Sequence, residues 1–153
     1  MRWLAVIFGV AVLVTACGVV WVNEADMKPK LWHIDPTTAE RTGRPNDYLV
    51  APEGATNVSP DRVSDRFEES PDSLLDRFAA IALAEPRVVE IGTPGAFRTF
   101  VQRSQLIGFP DYISVKAVPV EGGASLIVYS RAQYGYSDWG VNKARVEDWL
   151  SKL

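Results

Sequence analysis

The apolar positions of this chain change their spacing four times, and each change predicts a different kind of element. Trp3 to Val22, WLAVIFGVAVLVTACGVVWV, is an unbroken apolar run without a charge. From Asn23 to Pro71 apolar residues thin out and six of the ten prolines appear, at 29, 36, 45, 52, 60 and 71. Proline removes a backbone donor and fixes φ, so this density argues against long helices and interior strands. Residues 23–45 therefore read as an extended tether. LWHID and DYLVAP are apolar enough to lie on a folded domain as an edge strand, with TGRPND between them as turn chemistry.

At Ser70 the period becomes helical. SPDSLLDRFAAIAL supplies a Ser N-cap, proline at the first helical position, an acidic residue in the first turn, and apolar side chains at 74, 75, 78, 81 and 82. The period then shortens toward two: RVVEI, FRTFVQRS, DYISVKAVPV and ASLIVYSRAQY read as strands, with GTPG as the first turn. Gly122-Gly123 between the last two predicts a two-residue hairpin, because both positions can take positive φ without a Cβ clash. The chain closes on a helix with Val146, Trp149, Leu150 and Leu153 at i, i+3, i+4 and i+7. This order predicts one α+β domain over 46–153: an antiparallel four- to five-stranded sheet with two helices packed on one face, preceded by an N-terminal transmembrane helix.

The first run is twenty residues long, which at about 1.5 Å per residue matches a hydrocarbon core of roughly 30 Å. Trp3 and Trp21 stand near its ends, where indoles favour the headgroup level. Arg2 precedes the run and Glu24 and Asp26 follow it, so positive-inside logic leaves the N-terminus in the cytoplasm and the domain outside. The rival reading is a lipid anchor on Cys17, since LVTACG resembles a bacterial lipoprotein signal. GVVWV continues the apolar run past Cys17, where a lipoprotein begins a soluble tether, and this favours the spanning helix.

Composition narrows the function. Of 153 residues, 47% are hydrophobic and 23% charged, the net charge is -3, and the Lys and Arg residues are scattered. No basic stripe tracks a phosphate backbone, so nucleic acid is not expected as a partner. Cys17, the single cysteine, lies in the apolar run, which removes disulfides and thiol catalysis from the domain. His33 is the only histidine. A triad would need it folded back onto the domain, and a zinc site would need further nitrogen or sulfur ligands, so its expected state is solvated or loosely packed. No metal and no cofactor is expected.

The densest polar stretch is RAQYGYSDWGVNKARVEDWL, from Arg131 to Leu150. Structurally, Asp138 or Asn142 is a natural N-cap for the last helix, Asp111 a natural turn residue, and Arg103, Arg131 and Arg145 the counter-ions that fix the sheet end to the helix start. Functionally, an open helix N-terminus with an arginine can hold an anion.

With these residues laid out, RSQLIGFPDYISV together with SRAQYGYSDWGVNKARVEDWL resembles the domain of unknown function 1499 family, over roughly Asn46 to Leu153. Its most specific part is Gly-Tyr-Ser-Asp-x-Gly-x-Asn-x-x-Arg, here Gly135, Tyr136, Ser137, Asp138, Gly140, Asn142 and Arg145. The resemblance implies a small bacterial domain, often membrane-associated, with no accepted activity or catalytic residues. The family often carries a second acidic residue around GFPDY; Pro110-Asp111 stands here, which weakens a two-carboxylate mechanism.

The favoured expectation is a non-enzymatic binding module held outside the cytoplasmic membrane, facing an envelope protein or a small anionic ligand. Its candidate surface comprises Arg103, Asp111, Arg131, Tyr134, Tyr136, Ser137, Asp138, Asn142 and Arg145. The alternative is a hydrolase or transferase on an envelope lipid, glycan or peptide with Asp138 or Asp111 as general base; it requires a pocket and a raised pKa. A purely architectural role would require an exposed apolar patch on the free sheet face.

Overall fold

A computed structural model describes residues 29–92 and 95–153; the apolar run 3–22, with Cys17, lies outside them. Among the described residues no helix is long and apolar enough to cross a membrane. The elements in chain order are α1 (Pro29–Trp32), a 3-10 turn (Pro36–Thr38), β1 (Asp47–Ala51), β2 (Arg62–Val63), β3 (Arg66–Phe67), α2 (Pro71–Ala84), β4 (Val88–Ile91), β5 (Arg98–Arg103), β6 (Pro110–Val120), β7 (Gly123–Ala132) and α3 (Val141–Leu150).

The chain is α+β as the pattern predicts, but the sheet has seven strands and is mixed. Its order is β2-β1-β7-β6-β5-β4, with β3 also on β7, and β2 runs parallel to β1 while every other pair is antiparallel. The extra strands come from the proline-dense segment. β1 contains no proline, being bracketed by Pro45 and Pro52, and it sits inside the sheet between β2 and β7 rather than at an edge. β2 and β3 have two residues each, too short to show a period of their own. Pro119 inside β6 is tolerated because β5 pairs only with Pro110 to Val115, which leaves that part of β6 without a neighbour on one side.

The β6–β7 hairpin forms at the expected place with its turn shifted by one residue. Val120 pairs with Gly123, so the loop is Glu121-Gly122 and Gly123 opens β7. Gly123 has φ 153°, and a Cβ there would lie 2.0 Å from Phe67 O. Its missing side chain is what lets β3 approach.

Alternation along the strands gives each face a separate core. Val50, Phe100, Ile113, Val115, Leu126 and Val128 meet Leu74, Phe78, Val146 and Trp149 from the two long helices, both on this face. The opposite face, carrying Leu49, Ile127, Tyr129, Val101 and Tyr112, is covered by Trp32, Ile34, Ala39, Ala55 and Val58. The free apolar face that an architectural role requires is thus occupied by the chain's own residues.

Residues 32–42, read above as tether, form a strap held by specific contacts. Trp32 stacks on Tyr112 at 4.3 Å, nearly parallel. His33 stacks on Phe97 at 4.4 Å, its Nδ1 lies 3.0 Å from Thr99 Oγ1, and its ring rests where a side chain at Gly92 would collide. The histidine is folded back onto the domain. Asp35 caps the 3-10 turn and accepts from Lys116 Nζ at 2.6 Å. Burial alone would raise its pKa, but the bonds from Lys116 and Thr37 hold it below the usual carboxylate range. Tyr129 Oη ties the strap again, to Glu40 O and to Asp47 Oδ2, both at 2.9 Å. Asp47 is likewise held low: burial opposes ionisation, and Arg41, Thr42 N and Tyr129 outweigh it.

Candidate functional site

The end of the sheet where β6 begins and β7 ends meets the start of α3, and a network of internal bonds joins them. Helix α3 needs partners for its first N–H groups. Gly140, at the N-cap position with φ 82°, has no side chain to provide them. Asp138, two residues earlier, provides them instead. Its Oδ1 accepts from Gly140 N at 3.0 Å, its Oδ2 from Asn142 N and Asn142 Nδ2 at 2.8 Å each, and its carbonyl from Val141 N at 3.1 Å. Asn142 is fully buried. It donates to Asn46 O at 3.1 Å and accepts from Ser130 Oγ at 2.5 Å, so one amide joins β7, the segment before β1, and α3.

Arg145, one turn later, completes the clasp. Its Nη2 donates to Asp111 Oδ2 at 2.6 Å, its Nε to Gln102 Oε1 at 2.5 Å, and its Nη1 to Asn142 Oδ1 and Ser130 Oγ at 2.6 and 3.2 Å. The side chains of Arg145 and Asp111 are 7% and 16% exposed, so the pair is largely removed from water. Burial pushes the Asp111 carboxyl above its ordinary pKa, Arg145 opposes that rise, and the nearby charge of Asp138 adds to it. In the anion-holding arrangement these N–H groups and this arginine would be open. In the fold, Asp138 and Asp111 already engage them.

In front of the clasp lies an open groove of about 560 Å³. Asp111, Tyr134, Ser137 and Asp138 contribute polar lining, while Leu106, Ile107, Phe109, Trp139 and Val141 contribute apolar walls. Two loops build it: 104–109, between β5 and β6, and 133–140, between β7 and α3. The first is shaped by Ser104, whose backbone N donates to Phe109 O and whose Oγ accepts from Phe109 N, and by Gly108 N donating to Ser104 O. The second is held by Asn46 Nδ2 on Gly135 O at 2.9 Å and by Asp138 N on Pro45 O. Phe109 and Tyr134 touch across the two loops with ring centres 5.4 Å apart.

The apolar walls face solvent. Leu106 is 88% exposed and Trp139 93%. Six of the ten exposed large apolar side chains among the described residues cluster here: Leu106, Ile107, Phe109, Tyr136, Trp139 and Val141. Trp139 also sits at φ 56°, a left-handed conformation that costs a non-glycine residue roughly 1–2 kcal/mol. A solvated indole in a strained backbone adds nothing to the core.

The sequence-derived candidates thus separate into groups. Asp111, Tyr134, Ser137 and Asp138 line the groove, and Tyr136 stands at its rim. Asn142 and Arg145 are the clasp behind it. Arg103 lines an adjoining hollow with Arg87 and Leu106 and donates to Gly108 O at 2.9 Å. Arg131 belongs to the other face of the sheet. It is 3% exposed and donates to Trp32 O at 2.6 Å and to Ser114 Oγ at 3.2 Å, with its guanidinium near the rings of Trp32 and Tyr129. Burial lowers its pKa to about 10. Arg103 and Arg131 are on strands separated by β6 and flank Tyr112, whose pKa burial raises against the lowering effect of both charges. The apolar walls were not among the candidates; the run Leu106-Ile107-Gly108-Phe109 directly before Pro110 is the signal that points to them. Among the described residues no group of three His, Cys, Asp or Glu is placed to hold a metal ion.

No curated protein and no solved structure was found to match the chain. Residues 36–153 match the family described as "Protein of unknown function (DUF1499)". The match takes in the 3-10 turn, all seven strands, both long helices, the clasp and the groove, and the chain belongs to this family.

Proposed function

We propose that this chain is a membrane-anchored binding module, without catalysis of its own, that engages a component of the cell envelope through the groove at the clasped end of the sheet. The carrying observation is the concentration of solvent-facing apolar side chains, Leu106 and Trp139 above all, around a polar floor whose carboxylates are held by internal hydrogen bonds. Recognition surfaces combine aromatic contact area with a few fixed polar groups in this way. The uncharged run 3–22 supplies the anchor and puts the domain on the far side of the cytoplasmic membrane.

A photo-crosslinking residue at position 106 or 139 in living cells tests this. Covalent adducts are expected from both positions and not from position 121, in the hairpin at the far end of the sheet. If the three positions behave alike, the groove is not a binding surface.

One observation favours a second reading, a hydrolase or transferase with Asp111 as general base: the carboxyl lines the groove and its pKa is raised. Against it, Arg145 holds Oδ2, and both oxygens of Asp138 serve the helix start. On the second reading Asp111→Asn abolishes turnover of an envelope substrate; on the first, Asp111→Asn leaves adduct formation at 106 and 139 in place.

A further inference from the structure

The groove has an apolar rim, and the described chain enters the domain at the same end of the sheet, on its opposite face. Trp32, the last residue of α1, stacks on Tyr112, and its carbonyl accepts from Arg131. Tyr112 follows Asp111 of the groove lining, and Arg131 precedes Ala132 of the same lining. Tyr112 Oη donates to Gln133 Oε1, and Gln133 Nε2 donates to Tyr134 Oη. A chain of direct contacts therefore runs from the entry point through the sheet to the groove.

Six residues, 23–28, separate the apolar run from α1. Whatever their path, seven Cα steps span at most about 25 Å. The start of α1 is held within that distance of the end of the run.

Side chains at this end suit a lipid surface. Leu31 of α1 is 64% exposed and joins Leu106 and Trp139 as a large apolar group in solvent. Indoles and aliphatic groups partition to the headgroup boundary, and tryptophan is enriched there. Cations border the rim. Arg87 and Arg103 line the hollow beside Leu106, Lys30 precedes Leu31, and the exposed Arg44 lies next to Pro45, whose carbonyl takes the Asp138 N–H. The two carboxylates that line the groove, Asp111 and Asp138, are turned inward to Arg145 and to the start of α3. Among the described residues this end thus places Lys30, Arg44, Arg87 and Arg103 beside the apolar rim, while Glu24 and Asp26 lie in the six residues that join the run to α1; anionic leaflets attract such cations within a Debye length.

We infer that the rim formed by Leu106, Ile107, Tyr136 and Trp139 docks on the lipid surface that carries the anchor, inserting Leu106 and Trp139 at headgroup level and holding the domain in one orientation on the membrane. This rests on the anchored-module reading and names the partner of its groove. It gives the strained, solvated Trp139 a role, since the indole leaves water only when the membrane is present. A single span tethers a domain; a second contact at its other attachment point fixes how it stands.

The test uses the full chain in vesicles of phosphatidylethanolamine and phosphatidylglycerol, with p-benzoylphenylalanine at position 106, 139, 121 or 13. Position 121 lies at the far end of β6, about 35 Å from the rim, and position 13 lies inside the apolar run. The expected result is chain–lipid adducts, read by mass, from 13, 106 and 139 and their loss at 121. Adducts from 13 without any from 106 and 139 would leave the anchor standing and overturn the docking. Equal yields from 121 and 106 would reduce the contact to random collision, and chain–chain adducts from the rim would make it a dimer surface; both overturn it. No lipid adduct even from 13 removes the anchor reading itself, and the docking with it. Protein adducts from 106 in cells, with no lipid adducts in vesicles, keep the groove as a binding surface and give it a protein partner instead.

Discussion

Replacing Arg145 with methionine lowers the stability of the folded domain by roughly 3–5 kcal/mol at neutral pH, the range seen when one partner of a buried ion pair is removed. Methionine has similar length and is apolar, so the loss is electrostatic and not one of volume. Asp111 is left without the guanidinium that offsets its burial, and Asn142 Oδ1, Gln102 Oε1 and Ser130 Oγ each lose a donor. The pH dependence is the more telling measurement. Asp111 already has a raised pKa from burial, which Arg145 counteracts. In Arg145→Met that opposition is gone and the pKa climbs further. A carboxyl whose folded pKa exceeds its unfolded value favours the folded state when protonated and penalises it when ionised. The deficit is therefore smallest in acid, below the ordinary carboxylate pKa of about 4, and grows as pH rises through the folded value. Urea unfolding in mild detergent across that range reads it. Adding Asp111→Asn should recover much of the loss, because no bare charge remains. A deficit below about 1 kcal/mol, flat with pH, would mean that the pair behaves like a solvent-screened surface bridge.

Trp149→Ala is expected to cost about as much, 3–5 kcal/mol, by a different mechanism. Trp149 is 1% exposed and meets Phe78 edge to face with ring centres 5.9 Å apart, at the junction of both long helices with the sheet. Truncation removes the transfer free energy of the indole and leaves a cavity that α2 and α3 can close only in part. Nothing about this loss titrates between pH 3 and pH 8, so the Trp149→Ala deficit stays level where the Arg145→Met deficit slopes. The two variants together separate what packing holds from what the polar clasp holds. If Trp149→Ala costs less than about 1 kcal/mol, α3 is anchored by the clasp alone.

Much of this architecture is written in local patterns. The α2 helix begins with Ser70 accepting from Ser73 N and proline at its first position, and it covers Pro71–Ala84, because capping and a 3.6-residue period act within one element. Strands β4 to β7 follow their alternation for the same reason. The form of the hairpin turn is not local: Gly122-Gly123 suggests a loop made of both glycines, and the fold uses Gly123 to admit the β3 backbone, a neighbour more than fifty residues away in sequence.

In the candidate site, the residue types that build the clasp stand out from the sequence because Asp, Asn and Gly in that order are helix-start chemistry. Asp138, Asn142 and Arg145 could therefore be named in advance. Which partners they take could not. Asn46, Gln102, Asp111 and Ser130 reach them only because β1, β5, β6 and β7 end side by side. Arg131 is close to Tyr134 in sequence, yet it belongs to the other face, because side chains alternate along a strand and the sheet separates the two sets.

The sequence by itself determined the two long helices, the principal strands, the α+β class and the polar helix start, since each depends on interactions reaching only a few residues. Tertiary structure alone decided that β1 lies inside the sheet, that residues 32–42 form a strap, and that Leu106 and Trp139 share one groove. Those outcomes depend on contacts between segments far apart in the chain, and no local period records them.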